Sequence, residues 1–246
     1  MATSVLWEEA GTYELQTTTI WSFPDRGAWA SHNGKYRGNW SPHVPRNIIL
    51  RYSAIGDVVL DCFLGSGTTL VEAFLLGRRG VGVDINPVAI ELARRNLDLP
   101  SDGHEPVLRV GDARYLTFLE DGSVDLVCTH PPYANIIRYS EEDGDLSHLP
   151  PLRFLEAMDQ VAKELFRVLR PDGYCAVLMG DTRKNRHVQP LGFRTMERFL
   201  AAGFVLKEII IKEQHNCKAT PYWRRRSIEM NFLLLAHEYL FVFRRP

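Results

Sequence analysis

The chain has 246 residues, of which 45% are hydrophobic, and its formal net charge at pH 7 is −1. This length and apolar content predict one substantial core, and a charge near zero means that any nucleic-acid-binding surface must be local. No apolar run reaches the ~18 residues that span a bilayer, and the N-terminus has no signal-peptide pattern, so we expect a cytoplasmic protein without membrane contact. Four dispersed cysteines predict buried thiols and no metal site.

We interpret residues 1–38 as an N-terminal arm and residues 39–246 as a single domain. A short strand is predicted over 17–21. The stretch from 21 to 51 combines basic and aromatic side chains with the single acid Asp25, and glycines and prolines divide it into loops before a helix predicted over 45–52. Two interpretations are open: the stretch packs its aromatic side chains on the domain, or it contacts the cofactor or a nucleic-acid backbone.

Residues 56–84 predict a β-α-β unit with a glycine turn, because an apolar run ends in Asp61, a helical pattern follows the turn, and a second run ends in Asp84. Gly65 and Gly67 permit positive φ and the close approach of a ligand to the backbone. The N–H groups of the following helix face the same place. Asp84 follows Asp61 by 23 residues, close to the ~20-residue offset at which a second-strand acid binds a ribose. The unit predicts a nucleoside-bearing cofactor.

The details of the turn narrow the choice of cofactor. A dinucleotide fingerprint needs a third glycine at position 70, which is leucine, and a phosphate-binding P-loop needs a lysine that is absent here. The full pattern, with Phe63 before Gly65 and Thr68-Thr69 after Gly67, resembles the first motif of the S-adenosylmethionine-dependent amino-methyltransferases that modify DNA bases. That family usually has proline where this chain has Cys62.

The resemblance covers roughly residue 39 to the end and implies an α/β fold, a Rossmann-like class I methyltransferase with a mostly parallel seven-stranded sheet and an antiparallel last strand. It implies S-adenosylmethionine as cofactor, with its methionine near 61–67 and its ribose at Asp84. The segment Asn39-Trp40-Ser41-Pro42-His43 is similar to the one that closes over the methionine in that family. The candidate cofactor-binding residues are therefore Trp40, Ser41, Asp61, Phe63, Gly65, Gly67, Thr68, Asp84 and Asp112.

Asp112 enters that list from its position after the third strand. A helix is predicted from Asn86-Pro87 to Leu97, where proline suits the first turn, and a strand over Val107–Val110 ends in Gly111-Asp112. In the family, an acid at this place accepts a hydrogen bond from the adenine amino group. The alternative is that Asp112 caps the segment that follows.

A fourth strand over 123–128 leads into Thr129-His130-Pro131-Pro132-Tyr133. Two prolines remove two N–H donors and fix φ, so the chain leaves the strand in one rigid direction, toward the crevice of the glycine turn. The segment resembles the catalytic motif of the amino-methyltransferases, an acid, serine or asparagine followed by Pro-Pro-Tyr. By resemblance, residue 130 and the Pro131 carbonyl accept hydrogen bonds from the target amine, and Tyr133 stacks on a flipped base. The candidate catalytic residues are His130, Pro131, Pro132 and Tyr133.

His130 departs from the family, in which aspartate is common in adenine N6 enzymes, serine in cytosine N4 enzymes, and asparagine marks protein-glutamine enzymes. A neutral imidazole can accept one hydrogen bond, and a near-neutral pKa would let it take the released proton. Thr129 is similar to the residue before the motif in cytosine N4 enzymes and favours that target.

The rest of the chain predicts a loop over 134–150 with a solvated acidic run, a helix over 152–169 ended by a turn at 170–173, a strand over 174–179 and a helix over 191–202. Two final strands, 206–211 and 233–243, are joined by a loop. We predict small recognition loops at 134–150, 182–190 and 212–231. Their candidate nucleic-acid-binding residues are Arg183, Lys184, Lys218, Tyr222, Trp223, Arg224 and Arg225, with a solvated arginine face as the alternative.

These patterns favour a DNA methyltransferase acting on an exocyclic base amine, cytosine N4 before adenine N6. The alternatives are an RNA guanine N2 methyltransferase, a protein-glutamine methyltransferase and a non-catalytic nucleic-acid-binding subunit. DNA is the expected partner, with RNA as the alternative. Because the chain has recognition loops in place of a large recognition domain, we expect a short target sequence or a partner subunit, such as the restriction endonuclease of a restriction-modification pair.

Overall fold

The computed structural model describes residues 13–99, 105–134, 137–216 and 220–246. Its helices are α1 (His43–Tyr52), α2 (Thr68–Leu75), α3 (Pro87–Asn96), α4 (Pro151–Val168), α5 (Leu191–Ala201) and α6 (Thr220–Glu229), with a 3-10 turn at Leu146–His148. Its strands are β1 (Ile20–Trp21), β2 (Val58–Asp61), β3 (Arg79–Asp84), β4 (Val107–Val110), β5 (Val124–Thr129), β6 (Leu169–Met179), β7 (Thr182–Lys184), β8 (His187–Gln189), β9 (Val205–Glu213) and β10 (His237–Arg244). None of the helices in these ranges is both long and apolar enough to cross a membrane.

The main sheet has eight strands in the order β1-β9-β10-β6-β5-β2-β3-β4. Strand β10 runs antiparallel to both β6 and β9, and the other pairs are parallel. The predicted Rossmann-like sheet of seven strands with an antiparallel last strand is confirmed. The two-residue strand β1 adds an eighth strand at the edge of β9.

The strands place apolar side chains on both faces of the sheet, and helices therefore cover both faces. Val59, Leu126 and Leu178 point toward α1 and α2, in a cluster that also contains Trp21 of the arm and Trp40 just after it. Alternate residues such as Leu60 pack with α4 and α5 on the opposite face. Helix α3 packs beside α2 through a smaller cluster. The ends of β2, β3 and β5 are thereby held in fixed positions between two layers.

Three segments differ from the sequence-based expectation. The predicted loop between the last strands contains α6, whose side chains are mostly exposed, so no apolar period signals a helix there. The predicted loop at 182–190 contains the hairpin β7–β8, turned by Asn185 and Arg186 at positive φ. The predicted turn at 170–173 lies inside β6, where Asp172 takes positive φ and its N–H donates to the Arg245 carbonyl.

Candidate active site

A cleft of about 660 Å³ opens where β2, β3 and β5 end at their carboxyl termini. This volume is in the range of cavities that hold small-molecule ligands. The arm together with the residues that follow it as far as 41, which we include in the arm from here on, forms one wall. The loop between 137 and 146 and the facing ends of β9 and β10 form others. The predicted site residues that line it are Trp40, Ser41, Asp61, Phe63, Gly65, Thr68, Asp84, Asp112, His130, Pro131, Pro132 and Tyr133.

The two glycines of the turn have different functions in the fold. Gly65 has φ +53°, and a Cβ added there would lie 3.1 Å from the Tyr36 ring, so the arm lies directly over the turn. Gly67 has φ +85° as the N-cap of α2, and a Cβ there would lie 3.1 Å from the Cβ of Ala93 in α3. Gly67, a predicted cofactor contact, is not among the residues that line the cleft and lies between two helices, where the absent side chain permits close packing.

Asp61 lies on the floor of the cleft with both carboxylate oxygens already engaged. They accept hydrogen bonds from the hydroxyls of Thr69 and Thr129, both at 2.6 Å, and from the Phe63 N–H at 3.1 Å. Burial raises the pKa of Asp61, and these three hydrogen bonds oppose that shift. The carboxyl therefore ties the end of β2 to the start of α2 and to the end of β5. The Thr129 hydroxyl is thus used inside the protein, and its link to cytosine N4 stays a prediction.

Asp84 holds the backbone of the glycine turn. Its oxygens accept hydrogen bonds from the Gly65 N–H at 2.8 Å and the Asn86 N–H at 2.9 Å. Burial raises the pKa of Asp84 to about 6, although both backbone hydrogen bonds act to lower it. The carboxyl group thus orients the turn and also faces the cleft.

Asp112 forms an ion pair within its own turn. The Nε of Arg114 donates to both of its oxygens, at 2.9 and 3.0 Å, and the Arg114 backbone N–H donates to one of them at 2.9 Å. Arg114 also reaches the Gly144 carbonyl at 3.3 Å, which joins this turn to the loop across the cleft. Asp112 therefore organises the segment that follows it and also lines the cleft, and its contact with adenine stays a prediction.

The arm is attached to the domain through a buried acid that the sequence analysis did not select. Glu72 of α2 is fully buried and accepts hydrogen bonds from the Nε1 of Trp29 at 2.7 Å and from Arg46 at 2.9 Å, and it pairs with the Nε2 of His32 at 2.7 Å. The Arg46 guanidinium lies 5.0 Å from the ring of Tyr13 and 5.5 Å from that of Trp29. Arg46 is therefore buried and serves the packing of the arm.

Within the arm, the predicted residues take internal partners as well as facing the cleft. The Ser41 hydroxyl donates to the Arg26 carbonyl at 2.8 Å, and Arg26 donates to the Trp40 carbonyl at 2.8 Å. The Thr68 hydroxyl, at the start of α2, forms a hydrogen bond with Asn39. These bonds fix the path of the arm across the mouth of the glycine turn.

The His-Pro-Pro-Tyr segment forms a hydrogen-bonded chain with the last two strands. The Nε2 of His130 lies 2.8 Å from the hydroxyl of Tyr133, which lies 2.7 Å from Glu238 Oε1. Glu238 Oε2 in turn lies 2.9 Å from the Nζ of Lys212. The ring of Trp40 stacks on His130 with centroids 5.4 Å apart. The arm, the motif and the β9–β10 pair therefore meet at His130.

The pKa of His130 differs from the sequence-based expectation. Burial lowers it to about 4, and Lys212 acts in the same direction, whereas Glu238 acts to raise it. The imidazole is therefore neutral at pH 7, with a pKa below the near-neutral value expected from the sequence. Burial would raise the pKa of Glu238, but the charge of Lys212 and the surrounding hydrogen bonds hold it below its ordinary value.

The candidate nucleic-acid-binding residues lie outside the cleft on α6 and the β7–β8 hairpin. Tyr222 and Trp223 are exposed, and the Arg226 guanidinium lies 4.5 Å from the Tyr222 ring. Arg183 stacks on Phe232 at 5.2 Å, and the Trp223 ring lies 6.4 Å from that of Phe232. The hairpin and the region of α6 thus meet at Phe232. Lys184 on the hairpin and Arg224 and Arg225 on α6 are exposed, and Arg225 pairs with Glu229 at 2.6 Å. Lys218 lies outside the described residues.

The acidic run in the loop after the motif is only partly solvated. Asp145 is buried and accepts hydrogen bonds from the backbone N–H groups of Ser140 and Ser147, at 3.0 and 2.8 Å. Glu141 and Glu142 of the same run are exposed, as predicted. Asp145 therefore shapes the loop that brings Tyr139 to the cleft.

Sequence reasoning missed Glu72, Glu238 and Lys212. Glu72 is the single acid in the apolar run 68–76, and Glu238 is the single acid in the run 237–243. Acids inside apolar periodic runs are seldom buried without a partner. The sequence contains this signal, although it does not name the partners.

Two family models match the chain, a DNA methylase over residues 8–95 and a methyltransferase domain over residues 54–221. A tRNA (guanine(10)-N2)-dimethyltransferase of Methanothermobacter thermautotrophicus is 40% identical over 99 residues, which are 40% of this chain and 29% of that protein. The type II methyltransferase M.BglI of Bacillus subtilis is 33% identical over 81 residues, 31% of this chain and 23% of that protein. The chain thus matches under a third of the length of these two relatives.

The crystal structure of TrmN from Thermus thermophilus superposes with a TM-score of 0.59 and 22% identity, over 85% of this chain and 50% of that one. This similarity supports the fold. The DNA methylase match includes the arm from residue 8 onward, the glycine turn and Asp84.

Proposed function

The chain belongs to the methyltransferase-domain family, and we propose that it transfers a methyl group to an exocyclic amine of a DNA base, cytosine N4 or adenine N6. Its cofactor is S-adenosylmethionine. The observation that carries the proposal is that His130-Pro131-Pro132-Tyr133 lines the same cleft as the glycine turn and Asp84. The preference for cytosine N4 depends on the resemblance of Thr129 to the residue before the motif in cytosine N4 enzymes, and the hydroxyl of Thr129 donates to Asp61. The labelling experiment below identifies the base.

The cleft residues suit a nucleoside with an amino-acid tail. The Asp84 carboxyl can accept hydrogen bonds from ribose hydroxyls, and the Gly65 backbone allows close approach. We assign the adenine contact to Asp112, which lines the same cleft. The oxygens of Asp61 are engaged within the protein. We therefore assign the contacts with the methionine part of the cofactor to Phe63, Gly65, Thr68 and the arm. When bound, S-adenosylmethionine supplies a methyl group on a positively charged sulfur.

The motif residues would orient the amine. The amine lone pair is delocalised into the base, and hydrogen bonds accepted by His130 and by the Pro131 carbonyl favour a more tetrahedral nitrogen aimed at the methyl group. Pro131 and Pro132 hold that carbonyl in a rigid extended segment. One face of the Tyr133 ring packs on Gly180, where an added Cβ would lie 2.6 Å away. We assign the stacking of a flipped base to Tyr133.

The direct test supplies methyl-labelled S-adenosylmethionine with duplex DNA, single-stranded DNA and total RNA in parallel, and identifies the labelled nucleoside by mass. We expect 4-methylcytosine or 6-methyladenine from DNA, and either nucleoside identifies the base. A His130→Ala protein is the control. Label that appears in neither DNA nor RNA, with cofactor bound, would overturn the proposal and favour a protein substrate or a non-catalytic subunit.

RNA guanine N2 is the second candidate target. The observation that favours it is the 40% identity over 99 residues to an enzyme named for that reaction. Label confined to N2-methylguanosine in the RNA arm of the experiment would select it. The DNA proposal includes a restriction endonuclease or another recognition partner, because α6 and the β7–β8 hairpin are small elements for the recognition of a DNA sequence.

Cofactor affinity should depend on pH through Asp84. Ribose hydroxyls donate to the ionised carboxylate, and the pKa of Asp84 is about 6, so the dissociation constant should rise about tenfold from pH 7 to pH 5. The pKa of Asp84 is raised in the folded protein, so its protonation stabilises the fold as the pH falls through 6. A loss of cofactor affinity over this range therefore cannot come from unfolding caused by Asp84. Titration calorimetry of wild type and Asp84→Asn measures this. The variant should bind more weakly with a flat pH profile, and an equal slope in both proteins would remove Asp84 from the ribose site.

Nucleic-acid affinity should depend on the arginines of α6. Replacing Arg224, Arg225 and Arg226 with glutamine should weaken DNA binding and reduce the slope of log K against log salt by about 0.9 for each phosphate that the variant no longer neutralises. Fluorescence anisotropy across a salt series measures the slope. A matched triple variant of Arg94, Arg95 and Arg153, which are exposed on α3 and α4, should keep the wild-type slope. Equal slopes in all three proteins would make the α6 arginines a solvated face.

A further inference from the structure

The four side chains Lys212, Glu238, Tyr133 and His130 form a hydrogen-bonded chain whose direction is fixed at one end. The Lys212 ammonium can only donate, and an ionised carboxylate can only accept. Glu238 therefore receives a hydrogen bond on each oxygen, from Lys212 at 2.9 Å and from the Tyr133 hydroxyl at 2.7 Å. The single hydrogen of the phenol is thereby used on Glu238.

The direction determines which nitrogen of His130 carries the proton. With its hydrogen donated to Glu238, the Tyr133 oxygen can only accept from the His130 Nε2, 2.8 Å away. His130 is neutral at pH 7 because burial lowers its pKa to about 4. A neutral imidazole with hydrogen on Nε2 has a lone pair on Nδ1. Trp40 stacks on the ring and holds its plane.

We propose that Glu238 and Lys212 are positioning residues that hold His130 as the Nε2–H tautomer, so that Nδ1 accepts the hydrogen bond from the target amine. The acceptor function of Nδ1 rests on the proposed function, whereas the tautomer of His130 is a property of the protein alone. A histidine in the opposite tautomer would present an N–H to the amine and could not accept from it. The control of this motif residue thus comes from Glu238, 105 residues from Tyr133 along the chain.

The geometry predicts that the tautomer of His130 is reversed in Glu238→Gln. Lys212 can only donate, so it takes the amide oxygen, and the amide NH₂ then faces the Tyr133 oxygen. The phenol must turn its hydrogen to the His130 Nε2, which leaves the proton on Nδ1 and removes the acceptor. Adding Lys212→Met to this variant frees the amide to rotate and should restore part of the Nε2–H tautomer.

The test uses the full chain with ¹⁵N-labelled histidine and no cofactor or nucleic acid. Long-range ¹H–¹⁵N spectra report the tautomer, and His130 is assigned by the signal that disappears in His130→Asn. We expect Nε2–H in the wild type, Nδ1–H in Glu238→Gln and a partial return in the double variant. Glu208→Gln, on β9 and outside the cleft, is the matched control and should keep the wild-type signal. Thermal melting verifies that each variant is folded.

The wild type in the Nδ1–H form, or an unchanged tautomer in folded Glu238→Gln, would overturn the proposal. Activity provides the second readout: kcat of Glu238→Gln should fall about 10²-fold, with the KM for S-adenosylmethionine unchanged. A reversed tautomer with full kcat would overturn the acceptor function of Nδ1. If the wild type methylates no nucleic acid at all, the proposed function fails, and the tautomer measurement still decides the assignment of Glu238 and Lys212.

Discussion

Replacing His130 with alanine should lower kcat about 10²–10³-fold and leave the affinity for S-adenosylmethionine within about twofold. The reason is that His130 supplies a preorganised polar contact to the reacting amine, and the loss of one such contact in a desolvated site typically has this effect on turnover. Steady-state kinetics on the identified nucleic-acid substrate, with calorimetry for the cofactor, measure both quantities. Full kcat in the alanine variant would reduce His130 to a packing residue beneath Trp40.

A comparison of replacements at position 130 tests the direction of the hydrogen bonds between Glu238, Tyr133 and His130. Asparagine retains an amide N–H and an acceptor oxygen, whereas aspartate cannot donate to Tyr133 and places a second negative charge beside Glu238. We therefore expect asparagine to retain more activity than alanine, and aspartate no more than alanine, although aspartate is common at this motif position in adenine N6 enzymes. Highest activity in the aspartate variant would contradict the hydrogen-bond direction derived from Glu238.

Replacing Glu72 with alanine should lower the free energy of unfolding by about 3–5 kcal/mol, because it leaves the buried Arg46 guanidinium without its counter-ion. The same change removes the partner of the Trp29 indole N–H and of His32. Urea unfolding followed by circular dichroism measures the loss. Because these contacts attach the arm that covers the cleft, cofactor affinity should fall with stability.

Two further variants make the Glu72 result specific. Glu72→Gln keeps hydrogen-bonding atoms and removes the charge, so its loss should be smaller than that of alanine. Glu91→Ala removes an exposed acid paired with Arg94 at 3.5 Å on α3, and its effect should stay within about 0.5 kcal/mol. If Glu72→Ala costs no more than Glu91→Ala, the buried pair does not stabilise the attachment of the arm.

Local patterns in the sequence predicted the central unit well because the interactions there are short in range. The apolar runs ending in Asp61 and Asp84 are β2 and β3, and the glycine turn between them precedes α2. The proline pair after β5 enters the same cleft, as its rigid geometry predicts. Helix α6 and the first half of β6 were missed, because an exposed helix has no apolar period and because Pro171-Asp172-Gly173 is typical of a turn although β6 runs through it.

The sequence by itself determined the fold class and the strand ends on which the site is built, because periodicity and turn chemistry act over a few residues. The same patterns predicted a nucleoside-bearing cofactor, and the family resemblance implied S-adenosylmethionine. The tertiary structure alone decided what each polar group is free to do. It commits Asp61 to two threonines and Gly67 to the packing of α3, and it sets Glu238 behind Tyr133 across 105 residues. Burial, the direction of a hydrogen bond and the tautomer of a histidine depend on partners brought together by folding, and no spacing along the chain specifies them.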